Sequence, residues 1–218
     1  MATKESALVA ALLESIQTAR RTEEPYRHWF LEHCLPVDAV RQLLELPFDA
    51  PPLDGVSGKR ELHNATRKYF DVQTRETFPI CEAFCQALQD RHFVNRVSNH
   101  FGASLDGCYL RIEYAQDTDG FWLEPHTDLG VKAFTMLLYL SKDVQHKDLG
   151  TDIYDASRVR VGRAPFASNC ATVFVPGHRY EVEFFEDSHV EIERFSSSGE
   201  IGGEELIPEI LSFGEPPA

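Results

Sequence analysis

The chain has 218 residues, 43% of them hydrophobic and 26% charged, which allows one domain with a sizeable core and is ordinary for a globular protein in water. A formal net charge of −14 argues against a nucleic-acid backbone or an anionic membrane as the main partner, although a few local arginines can still hold a small anion. No apolar run approaches the ~20 residues of a membrane span, and no basic segment followed by an apolar one opens the chain, so no signal peptide is expected.

Residues 4–22 are rich in Ala, Leu and Glu, and Leu8, Leu12 and Ile16 recur every four positions, which predicts an amphipathic helix. After Pro25 the aromatic stretch HWFLEHCL at 28–35 reads as a short strand, and 37–46 as a helix that Pro47 ends. Residues 47–60 concentrate Pro, Gly, Asp and Ser and form a loop. The basic piece at 59–67 is a solvated loop edge or a rim that meets substrate, with Asn64 and Arg67 as polar contacts. Residues 77–102 are helical, broken near 90–93, with Phe78, Cys81, Phe84, Cys85 and Leu88 as a buried stripe. Cys81 and Cys85 then act as small apolar residues. The five cysteines, Cys34, Cys81, Cys85, Cys108 and Cys170, have no paired spacing and suit a reducing cytoplasm better than a disulfide framework.

From Cys108 the pattern changes to short strands divided by turns. At 108–115, Leu110, Ile112 and Tyr114 alternate with Tyr109, Arg111 and Glu113. Residues 116–120 are a turn, and 132–141 are apolar on both faces, as in a central strand covered on each side. Further strands are expected at 151–155, 171–176, 178–185 and 190–198, with a loop through Ser168 between the first two. Strands that follow a helical lead without interleaved helices imply an antiparallel barrel or jelly roll. The division expected is a single domain over 1–218, with a mainly helical support region at 1–104, a β core at 105–198 and an acidic, Pro-containing tail at 199–218.

His126 and Asp128 stand two residues apart just before the apolar strand. On an extended backbone alternate side chains share a face, so one imidazole and one carboxylate point the same way. A third ligand would complete the two-His-one-carboxylate site of non-haem iron(II) oxygenases. Three histidines follow: His146 in a charged loop, His178 after a strand ending Pro176-Gly177, and His189 after the acidic stretch 186–188. A hairpin centred on 186–188 would pair the region of His178 with that of Arg194, and His178 is preferred over His189. Arg194 offers a planar fork for the free carboxylate of a dicarboxylate co-substrate, and Ser196 adds a hydroxyl from the same strand face. Tyr109, Arg111, Glu113, Trp122, Glu124 and Tyr139 are candidates to line the cavity, with ordinary core or rim placement as the alternative.

With LRIEYAQDTDGFWLEPHTD, the strand FTMLLYLS, LGTDIYD at 149–155 and NCATVFVPG before His178, the chain resembles the iron(II)/2-oxoglutarate-dependent dioxygenase superfamily over residues 105–198. The resemblance implies a double-stranded β-helix (jelly roll, cupin-like) with helices packed outside, and Fe(II) held by His126, Asp128 and His178. It further implies 2-oxoglutarate with its distal carboxylate on Arg194, assisted by Ser196 and Tyr139. The implied activity is hydroxylation of a small or medium-sized organic substrate with O₂, 2-oxoglutarate being decarboxylated to succinate. In many relatives the second histidine lies further beyond the Pro-Gly and nearer the arginine; here His178 follows Gly177 at once. The departure leaves open a longer hairpin or a displaced or lost third ligand. Two other classes therefore stand beside the oxygenase: a catalytically silent β-barrel binding module, and a cupin-like metalloenzyme that does not use 2-oxoglutarate.

Overall fold

The structure, a computed structural model, describes residues 4–49, 68–116, 132–141, 149–175, 181–185 and 188–195, the last two stretches by their backbone alone. The first helix, α1 (Lys4–Gln17), buries Leu8, Leu12, Ser15 and Ile16. It stops earlier than its composition suggests, because Arg20, Arg21 and Thr22 add nothing apolar to that stripe. They form β1 (Arg20–Thr22) instead, pairing antiparallel with β2 (His28–Leu31). After α2 (Val37–Leu44) and the short β3 (Lys68–Tyr69) come three helices: α3 (Val72–Thr77), α4 (Pro79–Gln89) and α5 (Arg91–Phe101).

The break expected near 90–93 is a cap. The Asp90 side chain accepts from the amides of His92 at 2.8 Å and Phe93 at 3.2 Å, satisfying donors that the first turn leaves free. Proline opens α4, where its missing N–H costs nothing, and Gly102 closes α5 with φ of +76°.

The remaining strands are β4 (Tyr109–Gln116), β5 (Lys132–Tyr139), β6 (Gly150–Tyr154), β7 (Arg160–Arg163), β8 (Cys170–Phe174), β9 (Glu181–Phe185) and β10 (Ser188–Phe195). Among the described residues they form two antiparallel sheets, one ordered β1-β2-β8-β5-β10-β4-β3 and one ordered β7-β6-β9. Alternation along the strands of the large sheet divides two cores. Leu110, Ile112, Tyr114, Phe134, Met136, Leu138 and Val173 pack with α1, α4 and α5 in one cluster. Leu137, Tyr139 and Phe174, from the opposite face, pack with Ile153, Ala164 and Phe166 around the small sheet in another. The large sheet thus carries helices outside and the small sheet inside.

Two expectations are corrected. The stretch through Ser168, expected as a loop, contains β7, and its alternation Arg-Val-Gly-Arg carries too little apolar signal to announce a strand. The hairpin around 186–188 is not a paired one: β9 pairs with β6 in the small sheet, while β10 lies between β4 and β5 in the large one. Periodicity identifies a strand without naming its partner.

The LGTDIYD segment owes its glycine to crowding. Gly150 has φ of +129°, and a Cβ there would stand 2.6 Å from the Ala164 carbonyl oxygen. Its neighbour Asp152 is 2% exposed and anchors the edge strand, bonding Arg163 Nη2 at 3.0 Å and Arg160 Nε at 2.7 Å. Burial alone would raise this carboxyl, but the bonds and charges of Arg163 and Arg160 outweigh it and hold the group below the usual carboxylate range. A depressed carboxylate contributes stability above its unfolded pKa of about 3.9 that is lost as pH falls through the lower folded value. Urea midpoints followed below about pH 4 are therefore expected to fall more steeply for the wild type than for Asp152→Asn.

Candidate active site

His126 and Asp128 lie in 117–131, and His178 in 176–180, outside the described residues, as do Ser196, His146, Trp122, Glu124, Asn64 and Arg67. What the structure supplies is the frame from which those segments leave. The register of β5 with β8 sets Thr135 opposite Phe174, so the end of β8 lies beside the start of β5. Asp128 is four residues before Lys132 and His178 three after Val175. Position 189, within β10, pairs with Tyr139 of β5. Among the described residues no group of three or more His, Cys, Asp or Glu could hold a metal.

Tyr139 is described in full. It projects from the inner face, is 3% exposed, and its hydroxyl lies 2.7 Å from Thr151 Oγ1 on β6 and 3.2 Å from Thr172 Oγ1 on β8. Burial pushes the phenol above its ordinary pKa, against the two threonine bonds, so it stays protonated and able to donate. Three hydroxyls from three strands therefore meet between the sheets. Nothing in the sequence near Tyr139 signals the threonines, which are 12 and 33 residues away.

Arg111 and Glu113 share the inner face with Tyr139, since the register through β10 aligns them with Thr135 and Leu137. The Arg111 guanidinium stands 5.6 Å from the Tyr69 ring centroid and 3.8 Å from Glu113 Oε2. Glu113 has a fully buried side chain. Tyr109 is half-buried at the start of the same strand. His28, also on this face opposite Phe174, is 2% exposed and donates Nδ1–H to the Tyr26 carbonyl at 2.8 Å. Burial lowers its pKa, which makes it a neutral, satisfied core histidine. The thiols of Cys34 and Cys81 are pushed by burial to about 12, far from reactive thiolates.

Position 194 falls in the other row. Arg194 pairs with Leu110 and Phe134, which face the helices, whereas positions 189, 191 and 193 pair with the residues of the inner face.

No protein-family model matches the sequence, and no curated protein matches it. Solved structures do. A prolyl-4-hydroxylase from Pseudomonas putida is 17% identical with a TM-score of 0.54, the match covering 88% of this chain and 94% of that one. A prolyl 4-hydroxylase from Phytophthora capsici is 12% identical with a TM-score of 0.58, covering 90% and 67%. A Trichoplax adhaerens prolyl hydroxylase, solved with a peptide fragment of the hypoxia inducible factor oxygen degradation domain, is 13% identical with a TM-score of 0.52, covering 88% and 91%. The chain has the fold of the prolyl hydroxylases, in keeping with its sequence resemblance to the iron(II)/2-oxoglutarate-dependent dioxygenase superfamily.

Proposed function

We propose that the chain is an Fe(II)/2-oxoglutarate-dependent oxygenase that hydroxylates a small or medium-sized organic substrate. In this reading residues 105–198 form a double-stranded β-helix, the helices support it from outside, and the protein works in a reducing cytoplasm. The observation that carries the reading is the meeting of two strand ends. The start of β5 and the end of β8 are neighbours, and the segments bearing His126, Asp128 and His178 are attached to them.

Two imidazoles and a carboxylate are a donor set suited to non-haem iron. The co-substrate fits a described feature: a protonated, buried phenol with two threonine hydroxyls beside it is the chemistry that holds a carboxylate away from water. Tyr139 would donate to the distal carboxylate of 2-oxoglutarate, while Thr151 and Thr172 fix the phenol's orientation. When bound, iron and 2-oxoglutarate supply the oxidation, dividing O₂ between succinate and the hydroxylated product with release of CO₂. The protein's own work is to orient a substrate carbon and to exclude water. Leu137, Phe174, Ile153 and Phe166, the apolar lining between the sheets, serve the second task.

The test is succinate release from 2-oxoglutarate by protein supplied anaerobically with Fe(II) and then given O₂, compared with His126→Ala. Iron-dependent release that the variant loses supports the oxygenase. Stoichiometric iron binding without any dependence on 2-oxoglutarate indicates the cupin-like alternative, and absence of both the silent binding module.

A further inference from the structure

We infer that the outer face of α5 is a docking surface for a short acidic segment of a partner protein. The inner face of this helix is spent on the core: Phe93, Val97 and Phe101 are buried, and the Phe101 ring meets those of Trp29 and Phe134. The outer face carries two rows at four-residue spacing, Arg91, Asn95 and Asn99 beside His92, Arg96 and His100, and all six are exposed. Neither row holds a carboxylate or an apolar side chain. Because α5 packs on the helix side of the large sheet, this surface is apart from the space between the sheets.

The cations of α5 differ from those elsewhere. Eight other arginines, from Arg20 on β1 to Arg163 on β7, each stand 3.8 Å or closer to a carboxylate. Arg91 and Arg96 have no such partner among the described residues, in a chain with 35 acidic residues against 21 basic ones. Beside Arg96, partial burial and then the charges of Arg96 and of Arg21 on β1 push the pKa of His100 down. Like charges gathered on one face repel one another, and arriving carboxylates relieve that repulsion. The size of the patch selects the partner. α5 has 11 residues, a length of about 16 Å. A nucleic-acid strand or an anionic bilayer extends further, by more than the Debye length of about 8 Å at physiological salt. It would then meet the carboxylates that give the chain its net charge of −14. A short acidic segment ends where the patch ends. With no apolar anchor the contact is electrostatic and salt-sensitive.

The test is the fluorescence anisotropy of a labelled dodecapeptide of eight glutamates and four serines, titrated with the intact protein at about 20 mM salt. Wild type is expected to bind saturably and to weaken about tenfold or more at about 0.15 M salt. Arg91→Glu with Arg96→Glu is expected to weaken binding about tenfold or more. Lys4→Glu with Arg41→Glu, the same change of net charge placed on α1 and α2, is expected to leave it within about twofold. No binding by wild type, or equal weakening by both pairs, overturns the assignment. So does tighter binding of a DNA duplex or of phosphatidylserine vesicles than of the peptide. Binding that appears only when Glu200, Glu204, Glu205 and Glu209 are changed to Gln would assign the face to residues 199–218 of this chain and overturn the partner. If circular dichroism shows that the paired Glu variant does not fold, Arg91→Gln with Arg96→Gln decides: weaker binding supports the docking surface and unchanged binding overturns it.

Discussion

His178→Ala is expected to lose stoichiometric Fe(II) binding and all iron-dependent 2-oxoglutarate turnover, while His189→Ala keeps the metal. Removing an outer-shell partner of a metal site costs roughly 10- to 100-fold in affinity, and removing one of three protein ligands should cost more. The expectation follows from where the chain is tethered. The 176–180 segment continues from β8, whose end adjoins the start of β5, the strand that follows the segment bearing His126 and Asp128, whereas position 189 lies within β10, paired on both sides. Anaerobic metal titration of the two variants separates the roles without any assay of turnover. Metal lost in His189→Ala and kept in His178→Ala would transfer the third ligand to β10.

The second large effect concerns the frame. Trp29 is 2% exposed on β2, its ring 5.0 Å from that of Phe101 on α5, and it pairs with Val173 of β8. It is one of the contacts by which the helices hold the strand that leads to His178. Truncating a buried aromatic to alanine removes transfer free energy and leaves a cavity, at about 3–5 kcal/mol. Against a typical stability of about 5–15 kcal/mol, Trp29→Ala should leave the protein marginally folded. Urea denaturation measures the loss, and Trp29→Phe should recover a large part of it. The iron affinity of the folded fraction should not change, because the tryptophan faces the helices and not the inner surface. A loss below about 1 kcal/mol would show that the helical lead is not integral to the sheets it packs on.

The face pattern of β4 was readable from residues alone: Leu110, Ile112 and Tyr114 face the helices, and Arg111 and Glu113 face inward. So was the interruption of the long helix, since Asp90 before an apolar stripe is a capping signal. Both depend on residues a few positions apart. What was not readable depends on distant partners. β9 and β10 are two residues apart in sequence and belong to different sheets. Their separation decides which row of β10 faces inward, and it sets position 189 in the row of Tyr139 and position 194 in the row of Leu110 and Phe134. Register moves whole rows from one face to the other, and no periodicity within β10 reveals it. Tyr139 stood among the site candidates, but its partners, Thr151 and Thr172, are supplied by strands that only folding brings together. The buried Asp152 was part of a motif before its bond to Arg163 gave it a physical role.

The most direct measurement is an anaerobic titration of the intact protein with Fe(II) and 2-oxoglutarate, followed by the visible charge-transfer absorption of the iron–2-oxoglutarate chelate. The proposed oxygenase predicts a saturable band at one iron per chain that is absent in His126→Ala. A protein that binds neither component, or develops no band with both present, contradicts it.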